Sequence, residues 1–253
     1  MSTESDTAVI GGTGLSRLKG LEVADRRVVA TPYGEPSAPL VLGRLGSGRA
    51  WFLPRHGAGH TIPPHAVNYR ANIWALKQLG VTRVVAVNAV GGIGPKYPPR
   101  SLTVPDQLID YTWGRDHTFY DGSAGQVGHV DFSAPYDEGL RRLLIAAGHA
   151  AGLAVGDGGT YGATQGPRLE TAAEIRRLAG DGCDLVGMTG MPEAGLAREA
   201  GLAYACLAAV VNFAAGESED IHGDLAEHVE AAMEAVRTLL EHLVPMAQGG
   251  RGD

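Results

Sequence analysis

Cysteine, basic residues and long apolar runs are scarce in this chain of 253 residues. Its two cysteines, Cys183 and Cys206, lie in apolar segments, so we expect no disulfide framework and a reducing, cytoplasmic compartment. Acidic residues outnumber basic ones by 28 to 21, giving a formal net charge of -7, which argues against a nucleic-acid or membrane-surface binder. The sequence also shows neither a secretory signal nor an apolar stretch long enough for a membrane span. We therefore expect partners that are small molecules rather than nucleic acid or membrane.

Short β-branched runs alternate with segments of helical spacing along the whole chain. Runs such as 82–90 and 204–212 predict buried strands, and hairpin-like pairs within 28–53 predict a mixed rather than a purely parallel sheet. Helical spacing predicts helices over 65–79, 136–151, 170–179, 192–200 and 224–243. No linker divides the chain, so we expect one α/β domain over 1–253, with flexible ends at 1–6 and 248–253.

The segment AVIGGTGLS, at 8–16, breaks from an apolar run into glycines. Gly12 and Gly14 match the first two glycines of a dinucleotide fingerprint, but Arg17 occupies the third position, so the fingerprint fails. What remains is a run of backbone N–H groups with the hydroxyl of Thr13, a nest that suits a single phosphate. The alternative is a tight turn that needs glycine only for its backbone angles.

Arg55 and His56 follow a predicted strand in the segment FLPRHGAGHT. The planar guanidinium fork suits phosphate oxygens, and the imidazole can donate one more hydrogen bond. A metal site of His56, His60 and His65 is disfavoured, because glycines and prolines break the helical face and no acidic ligand lies nearby. Two alternatives stay open: the nucleophile loop of a histidine phosphatase, and a solvated loop with a structural histidine.

Longer segments resemble the purine nucleoside phosphorylase and methylthioadenosine phosphorylase family: IGGTGL, RHGAGHTIPPHAVNYRANIWALKQLG, NAVGGI, TQGPRLET and DLVGMTGMPEAG. The resemblance implies a single-domain nucleoside phosphorylase fold, with a twisted, partly barrel-like mixed β-sheet flanked by helices. It implies a homotrimer, or a hexamer, whose active sites are each completed by a neighbouring subunit. The implied activity is purine salvage by phosphorolysis of a nucleoside, with inorganic phosphate as co-substrate and without a metal or an organic cofactor.

The resemblance also assigns site residues by position. It places the phosphate on Thr13, Arg55, His56, Ala89 and Thr189. It places Met188 under the ribose, where a thioether can pack against a sugar with developing positive charge; the alternative is simple core packing.

The base pocket implied by the resemblance contains Leu169, Glu170, Asn212 and Ala214. The amide of Asn212 can donate to a 6-oxo group and accept from a protonated N7, and Glu170 can accept the N1 proton that adenine lacks. With His56, these two residues are the expected catalytic groups, and they favour a 6-oxopurine. The alternative for both Glu170 and Asn212 is a helix N-cap.

The 5′ end of the nucleoside is the last part of the expected site. The chain resembles the methylthioadenosine branch, especially the bacterial methylthioinosine phosphorylases. The resemblance places a 5′-methylthio group against an apolar wall of Leu225 and Val229 and against His129 of a neighbouring subunit. His228 would instead suit a 5′-hydroxyl, but the inward stripe of Leu225 and Val229 favours placing it on the solvent side. The expected substrate is S-methyl-5′-thioinosine. Alternatives are an inosine/guanosine phosphorylase, a methylthioadenosine phosphorylase or a non-catalytic nucleoside-binding subunit.

Overall fold

The apolar runs of the sequence form a mixed sheet in the computed structural model, which describes residues 5–12, 20–122, 125, 127–217 and 225–249. Within these residues, the strands are β1 Thr7–Gly11, β2 Glu22–Arg27, β3 Leu40–Leu45, β4 Gly48–Pro54, β5 Arg83–Gly92, β6 Leu102–Val104, β7 Gln107–Asp110, β8 Val155–Asp157, β9 Thr160–Ala163, β10 Leu185–Gly187 and β11 Ala203–Phe213. The helices are α1 Tyr69–Gln78, α2 Glu138–Ala150, α3 Ala172–Gly180, α4 Gly190–Glu199 and α5 Leu225–Gly249. A single 3-10 turn, Pro64–Ala66, precedes α1.

The strand order is β2-β3-β4-β1-β5-β10-β9-β7, with β11 on the other edge of β5, β6 beside β11 and β8 beside β6. Strands β2, β3 and β4 form an antiparallel meander, whereas β1 runs parallel to both β4 and β5. Alternate side chains of β5 point to opposite faces, with Val84 and Ala86 in one apolar cluster and Val85 and Val87 in another. The expected twisted mixed sheet with flanking helices is confirmed.

One edge of β5 pairs with two different strands along its length, and this leaves a gap in the sheet between the two pairings. Strand β1 pairs with Arg83–Ala86, and β10 pairs in the opposite direction with Gly91 and Gly92. Between these two pairings, the backbone of residues 87–90 is paired with neither strand on that edge, while β11 pairs along the other edge. The described strands thus leave a gap at the middle of β5, and we call it the β5 gap.

Some predicted boundaries differ from the structure. The helix expected over 65–79 begins at Tyr69, because the side chain of Asn68 caps it by accepting from the N–H of Ala71. The strand expected to include Val28 ends at Arg27, and the Val28 side chain is 80% exposed. The last helix continues past Leu243 to Gly249. Apolar spacing marks the middle of an element better than its ends.

Described residues near both chain ends contact the sheet. Ser5 is buried and donates to the carbonyl of Arg49, and Asp6 pairs with Arg83. Near the other end, Gln248 exchanges two hydrogen bonds with the Arg49 backbone. Of the ends expected to be flexible, 1–4 and 250–253 lie outside the described part of the chain. Among the residues described, no helix combines the length and apolar character that a membrane span requires.

Candidate active site

A cleft of about 500 Å³ opens at the β5 gap, between the ends of β4, β10 and β11. Most of the site residues predicted from the sequence line it: Arg55, His56, Ala89, Leu169, Glu170, Met188, Thr189, Asn212, Ala214, Leu225 and Val229. Of the other three, Thr13 lies outside the described residues, although its neighbour Gly12 lines the cleft. His129 is exposed and His228 half-buried, and neither is among the described residues that line it.

Arg55 follows directly after β4, where its N–H donates to the carbonyl of Gly11 and so extends the β1–β4 pairing by one residue. Its side chain is completely buried. Nε and Nη2 donate to the two carboxylate oxygens of Glu193 at 2.6 and 2.7 Å, and Nη2 also donates to Asn88 Oδ1 at 3.0 Å. Burial alone lowers the pKa of Arg55, but the Glu193 carboxylate outweighs it and holds this pKa above the ordinary value. The guanidinium therefore remains cationic.

This geometry corrects one expectation about Arg55. The sequence suggested that the guanidinium fork faces an anion, whereas the fork faces Glu193. The remaining nitrogen, Nη1, lies 3.4 Å from the carbonyl oxygen of Val87, in the β5 gap. A Cβ added to Gly12 would lie 3.1 Å from Nη1, so only glycine lets the β1 loop approach this nitrogen without a shift of its neighbours. Nη1 is thus the part of Arg55 nearest the cleft-lining Gly12.

Glu193 is the residue that the sequence interpretation missed. It is completely buried in α4, and it also accepts a hydrogen bond from the hydroxyl of Tyr204 at 2.9 Å. A buried carboxylate requires such partners, because an unpaired charge in the interior is strongly unfavourable. The sequence signal was weak: one glutamate within the apolar segment MTGMPEAG, without any spacing that pairs it with Arg55.

His56 is held in a defined tautomer. Its Nδ1 lies 2.8 Å from the carbonyl oxygen of Ile62, and because a carbonyl can only accept, Nδ1 carries the proton. The lone pair of the neutral ring is then on Nε2. Burial, and next the charge of Arg55, lower the pKa of His56 to about 4. His56 is therefore neutral at physiological pH and presents a hydrogen-bond acceptor.

Thr189 lies between β10 and α4. It occupies the N-cap position of α4, yet its side chain makes no capping hydrogen bond, which leaves the hydroxyl available to a ligand. Its own N–H donates to the Tyr161 hydroxyl at 3.4 Å. Ala89, in the β5 gap, lines the same cleft.

Asn212 is brought to the cleft by an irregularity in β11. The register against β5 shifts between Val210 and Asn212, so Val211 is an extra residue in the pairing. Val211 and Asn212 both line the cleft, at the point where the regular alternation of side chains along β11 is interrupted. The Asn212 Nδ2 donates to the carbonyl of Phe213 at 2.7 Å. Asn212 lies within a strand, so the N-cap alternative is wrong for it.

Glu170 lies across the cleft from the end of β11, in the loop between β9 and α3. It accepts a 2.5 Å hydrogen bond from the Thr164 hydroxyl. The N-cap alternative is wrong here too, because Thr171 caps α3 through a reciprocal pair of bonds with Glu174. The carboxylate of Glu170 is thus free from any helix-capping role.

Met188 is fitted against Gly166. A Cβ added to Gly166 would lie 2.4 Å from the Met188 sulfur, and Gly166 has a φ of +58°, a conformation that favours glycine. Leu225 and Val229, one helical turn apart at the start of α5, form an apolar wall of the cleft.

Comparisons with known proteins identify the family of the chain. The chain belongs to the phosphorylase superfamily, whose model matches residues 6–245. A probable S-methyl-5′-thioinosine phosphorylase of Xanthomonas campestris is 55% identical over 239 residues, covering 93% of this chain and 96% of the relative. The 6-oxopurine nucleoside phosphorylase of Pyrococcus furiosus is 44% identical over 246 residues, covering 94% and 92%. A crystal structure of a methylthioadenosine phosphorylase from an antarctic soil metagenomic library superimposes with a TM-score of 0.91 at 37% identity, covering 98% of this chain and 88% of the other.

The protein is therefore a pentosyltransferase of the purine nucleoside and methylthioadenosine phosphorylase type, and its substrates are small-molecule nucleosides. This finding separates the alternatives that the sequence left open: a phosphorylase is favoured over both a histidine phosphatase and a non-catalytic nucleoside binder.

Proposed function

We propose that the protein cleaves S-methyl-5′-thioinosine with inorganic phosphate, giving hypoxanthine and 5-methylthioribose 1-phosphate. The observation that carries this proposal is the pair formed by Asn212 and Glu170, an amide and a carboxylate that line one cleft. The Xanthomonas relative, a probable S-methyl-5′-thioinosine phosphorylase, supports the same substrate.

The base is selected by hydrogen-bond polarity. Hypoxanthine carries an N1 proton that Glu170 accepts, and a 6-oxo group to which the Asn212 amide donates once its bond to Phe213 is exchanged. Adenine has no N1 proton and offers a 6-amino group instead. Buried polar groups left without partners cost about 1 to 3 kcal/mol each, so two mismatches suffice for strong discrimination.

Phosphate is held at the β5 gap by Thr13, Arg55, His56, Ala89 and Thr189. Arg55 contributes its charge through Nη1, and Thr189 contributes its hydroxyl. His56, neutral and with its lone pair on Nε2, accepts a hydrogen bond from the protonated oxygen of hydrogen phosphate.

The 5′ group lies against the apolar wall of Leu225 and Val229. A methylthio group gains by leaving water for such a surface, whereas a hydroxyl would lose its hydrogen bonds. We propose that His129 of a neighbouring subunit closes this pocket in a homotrimer, since in its own chain His129 is exposed and away from the cleft.

The reaction is direct displacement at the anomeric carbon. The bond from this carbon to purine N9 breaks, its electron pair leaves with the base, which takes one proton from solvent at N7, and a phosphate oxygen forms the new bond to the carbon. Asn212 binds the N7-protonated leaving base more strongly than the bound nucleoside, so it stabilises the transition state. Met188 packs under the ribose as positive charge develops. No covalent enzyme intermediate, metal or organic cofactor takes part.

A second candidate is an inosine or guanosine phosphorylase, which the Pyrococcus relative favours. It retains the base pocket and differs only at the 5′ end. A methylthioadenosine phosphorylase, the class of the soil-metagenome structure, would contradict the roles given to Asn212 and Glu170.

The test is base release by the purified protein from methylthioinosine, methylthioadenosine, inosine and guanosine, each with and without phosphate. Rapid phosphate-dependent cleavage of methylthioinosine alone is expected. A preference for inosine or guanosine would contradict the apolar 5′ pocket, and a preference for methylthioadenosine would contradict the base assignment.

A further inference from the structure

Arg115 lies behind the cleft and binds two separate segments of the chain. It is buried, with 8% of its surface exposed. Nη1 donates to the carbonyl oxygens of Met188 at 2.9 Å and Met191 at 2.5 Å. Nη2 donates to those of Gln165 at 2.9 Å and Thr164 at 3.3 Å. One guanidinium thus joins the β9–α3 loop to the β10–α4 junction.

Among the described residues, the Arg115 guanidinium is stabilised by hydrogen bonds to backbone carbonyl oxygens and not by a carboxylate. Nη1 also approaches the Tyr69 hydroxyl at 3.3 Å, and the guanidinium carbon lies 5.6 Å from the centre of the Tyr69 ring. In the described part of the chain, no carboxylate forms an ion pair with Arg115. The buried Nε of Arg115 has no hydrogen-bond partner within the residues that the structure describes, so moving either segment away would remove further hydrogen bonds from a buried cation that depends on those of Nη1 and Nη2.

The two segments are neighbours that continue the β9–β10 pairing, since the N–H of Thr164 donates to the carbonyl of Gly187 at 2.8 Å. Thr164, whose carbonyl accepts from Arg115, donates its hydroxyl to Glu170, the base-recognition residue of the proposed site. Gly166, one residue beyond Gln165, packs against the Met188 sulfur. Met188 and Thr189 belong to the other segment. Arg115 itself is not among the described residues that line the cleft.

We propose that Arg115 is a positioning residue that, beyond the direct Thr164–Gly187 hydrogen bond, sets the spacing between the base-recognition segment, 164–170, and the ribose-contacting segment, 187–191. The proposal rests on the proposed function for the roles of these segments. The guanidinium suits this task because its planar fork fixes two nitrogens at once, whereas lysine is a single point of charge on a flexible chain.

Arg141 provides a matched control. It is similarly buried, with 6% exposed, and it also donates to backbone carbonyls, those of Pro105 and Val104. Unlike Arg115, it also forms ion pairs within the described chain, with Glu138 and Asp157. It lies on α2 and is not among the described residues of the cleft. Arg141→Lys therefore imposes the same chemical change at a site with no link to the nucleoside.

The experiment compares wild type, Arg115→Lys and Arg141→Lys by amide hydrogen exchange and steady-state kinetics. In Arg115→Lys we expect about tenfold faster exchange in both segments, and a nucleoside KM raised about tenfold, with a much smaller change in the phosphate KM. The phosphate KM is expected to change less because, of the proposed phosphate-binding residues, Arg115 holds the segment of Thr189 alone, whereas Arg55 and His56 follow β4. Arg141→Lys is expected to show neither effect.

Several outcomes would overturn the proposal: exchange in the two segments no faster than in Arg141→Lys, a wild-type nucleoside KM, or equal rises in both KM values. If Arg115→Lys does not fold, Tyr69→Phe removes one contact of the same guanidinium. A smaller rise confined to the nucleoside KM is then expected, and an unchanged value would overturn the proposal. A wild-type protein that cleaves no nucleoside would instead contradict the proposed function, and hydrogen exchange would still decide whether Arg115 joins the segments.

Discussion

Glu193 holds the guanidinium of Arg55 through both carboxylate oxygens, at 2.6 and 2.7 Å, and both side chains are completely buried. The pair connects the residue directly after β4 to helix α4. It also fixes the direction of Nη1 toward the β5 gap, so the proposed binding of phosphate at Arg55 depends on a carboxylate that an anion itself would repel.

Replacement of Glu193 by glutamine is expected to destabilise the fold and to weaken phosphate binding. Breaking a buried ion pair from one side costs about 3 to 5 kcal/mol, because the remaining charge has no partner. Thermal unfolding and the phosphate KM measure the two effects. The double variant Arg55→Met/Glu193→Met should recover stability but not phosphate saturation. Recovery of both would contradict the role of Arg55 in binding the anion.

Asn212→Ala is expected to lower kcat about 100-fold while the phosphate KM stays nearly unchanged, because its hydrogen bond strengthens only as the base leaves. Arg55→Ala should show the opposite pattern, chiefly a loss of phosphate saturation. Steady-state kinetics with both substrates varied separate the two. Equal effects of the two substitutions on both parameters would refute this division of roles.

The pH dependence of stability should include a contribution from His56. Its pKa is about 4 in the folded protein and 6.5 in its ordinary state, so the unfolded chain binds the proton more readily between these values. The free energy of unfolding should therefore fall as the pH is lowered through this window. His56→Gln should show a shallower decline than wild type, whereas the exposed control His149→Gln should follow wild type. Identical slopes for all three proteins would disprove this account.

Gly166→Ala should impair nucleoside binding. The added methyl group meets the Met188 sulfur, and alanine is strained at a φ of +58°. We expect the nucleoside KM to rise several-fold with little change in the phosphate KM. Gly180→Ala is the matched control, since a Cβ there meets no atom within 4 Å. A nucleoside KM equal to that of the control would show that Met188 does not contact the ribose.

The sequence predicted the mixed sheet and most of the cleft, because apolar periodicity and short polar motifs are local signals. It did not predict the contacts that orient those residues. Glu193 lies in a helix, where a glutamate ordinarily faces water, and its burial depends on Arg55 from a distant strand. The extra residue Val211 depends on strand register, and Arg115 lies in a loop without periodicity. Each of these features arises from long-range packing.

The change of partner along β5 separates two parts of the proposed site, one for phosphate and one for the purine base. In the proposed function the anion lies at the β5 gap, whereas base choice depends on the end of β11 and on the loop that bears Glu170; the strand pairings separate these regions. Substitutions at Asn212 or Glu170 can therefore redirect the enzyme to a different purine while its capacity to use phosphate is retained. A protein engineer could treat the two regions as independent modules of one scaffold.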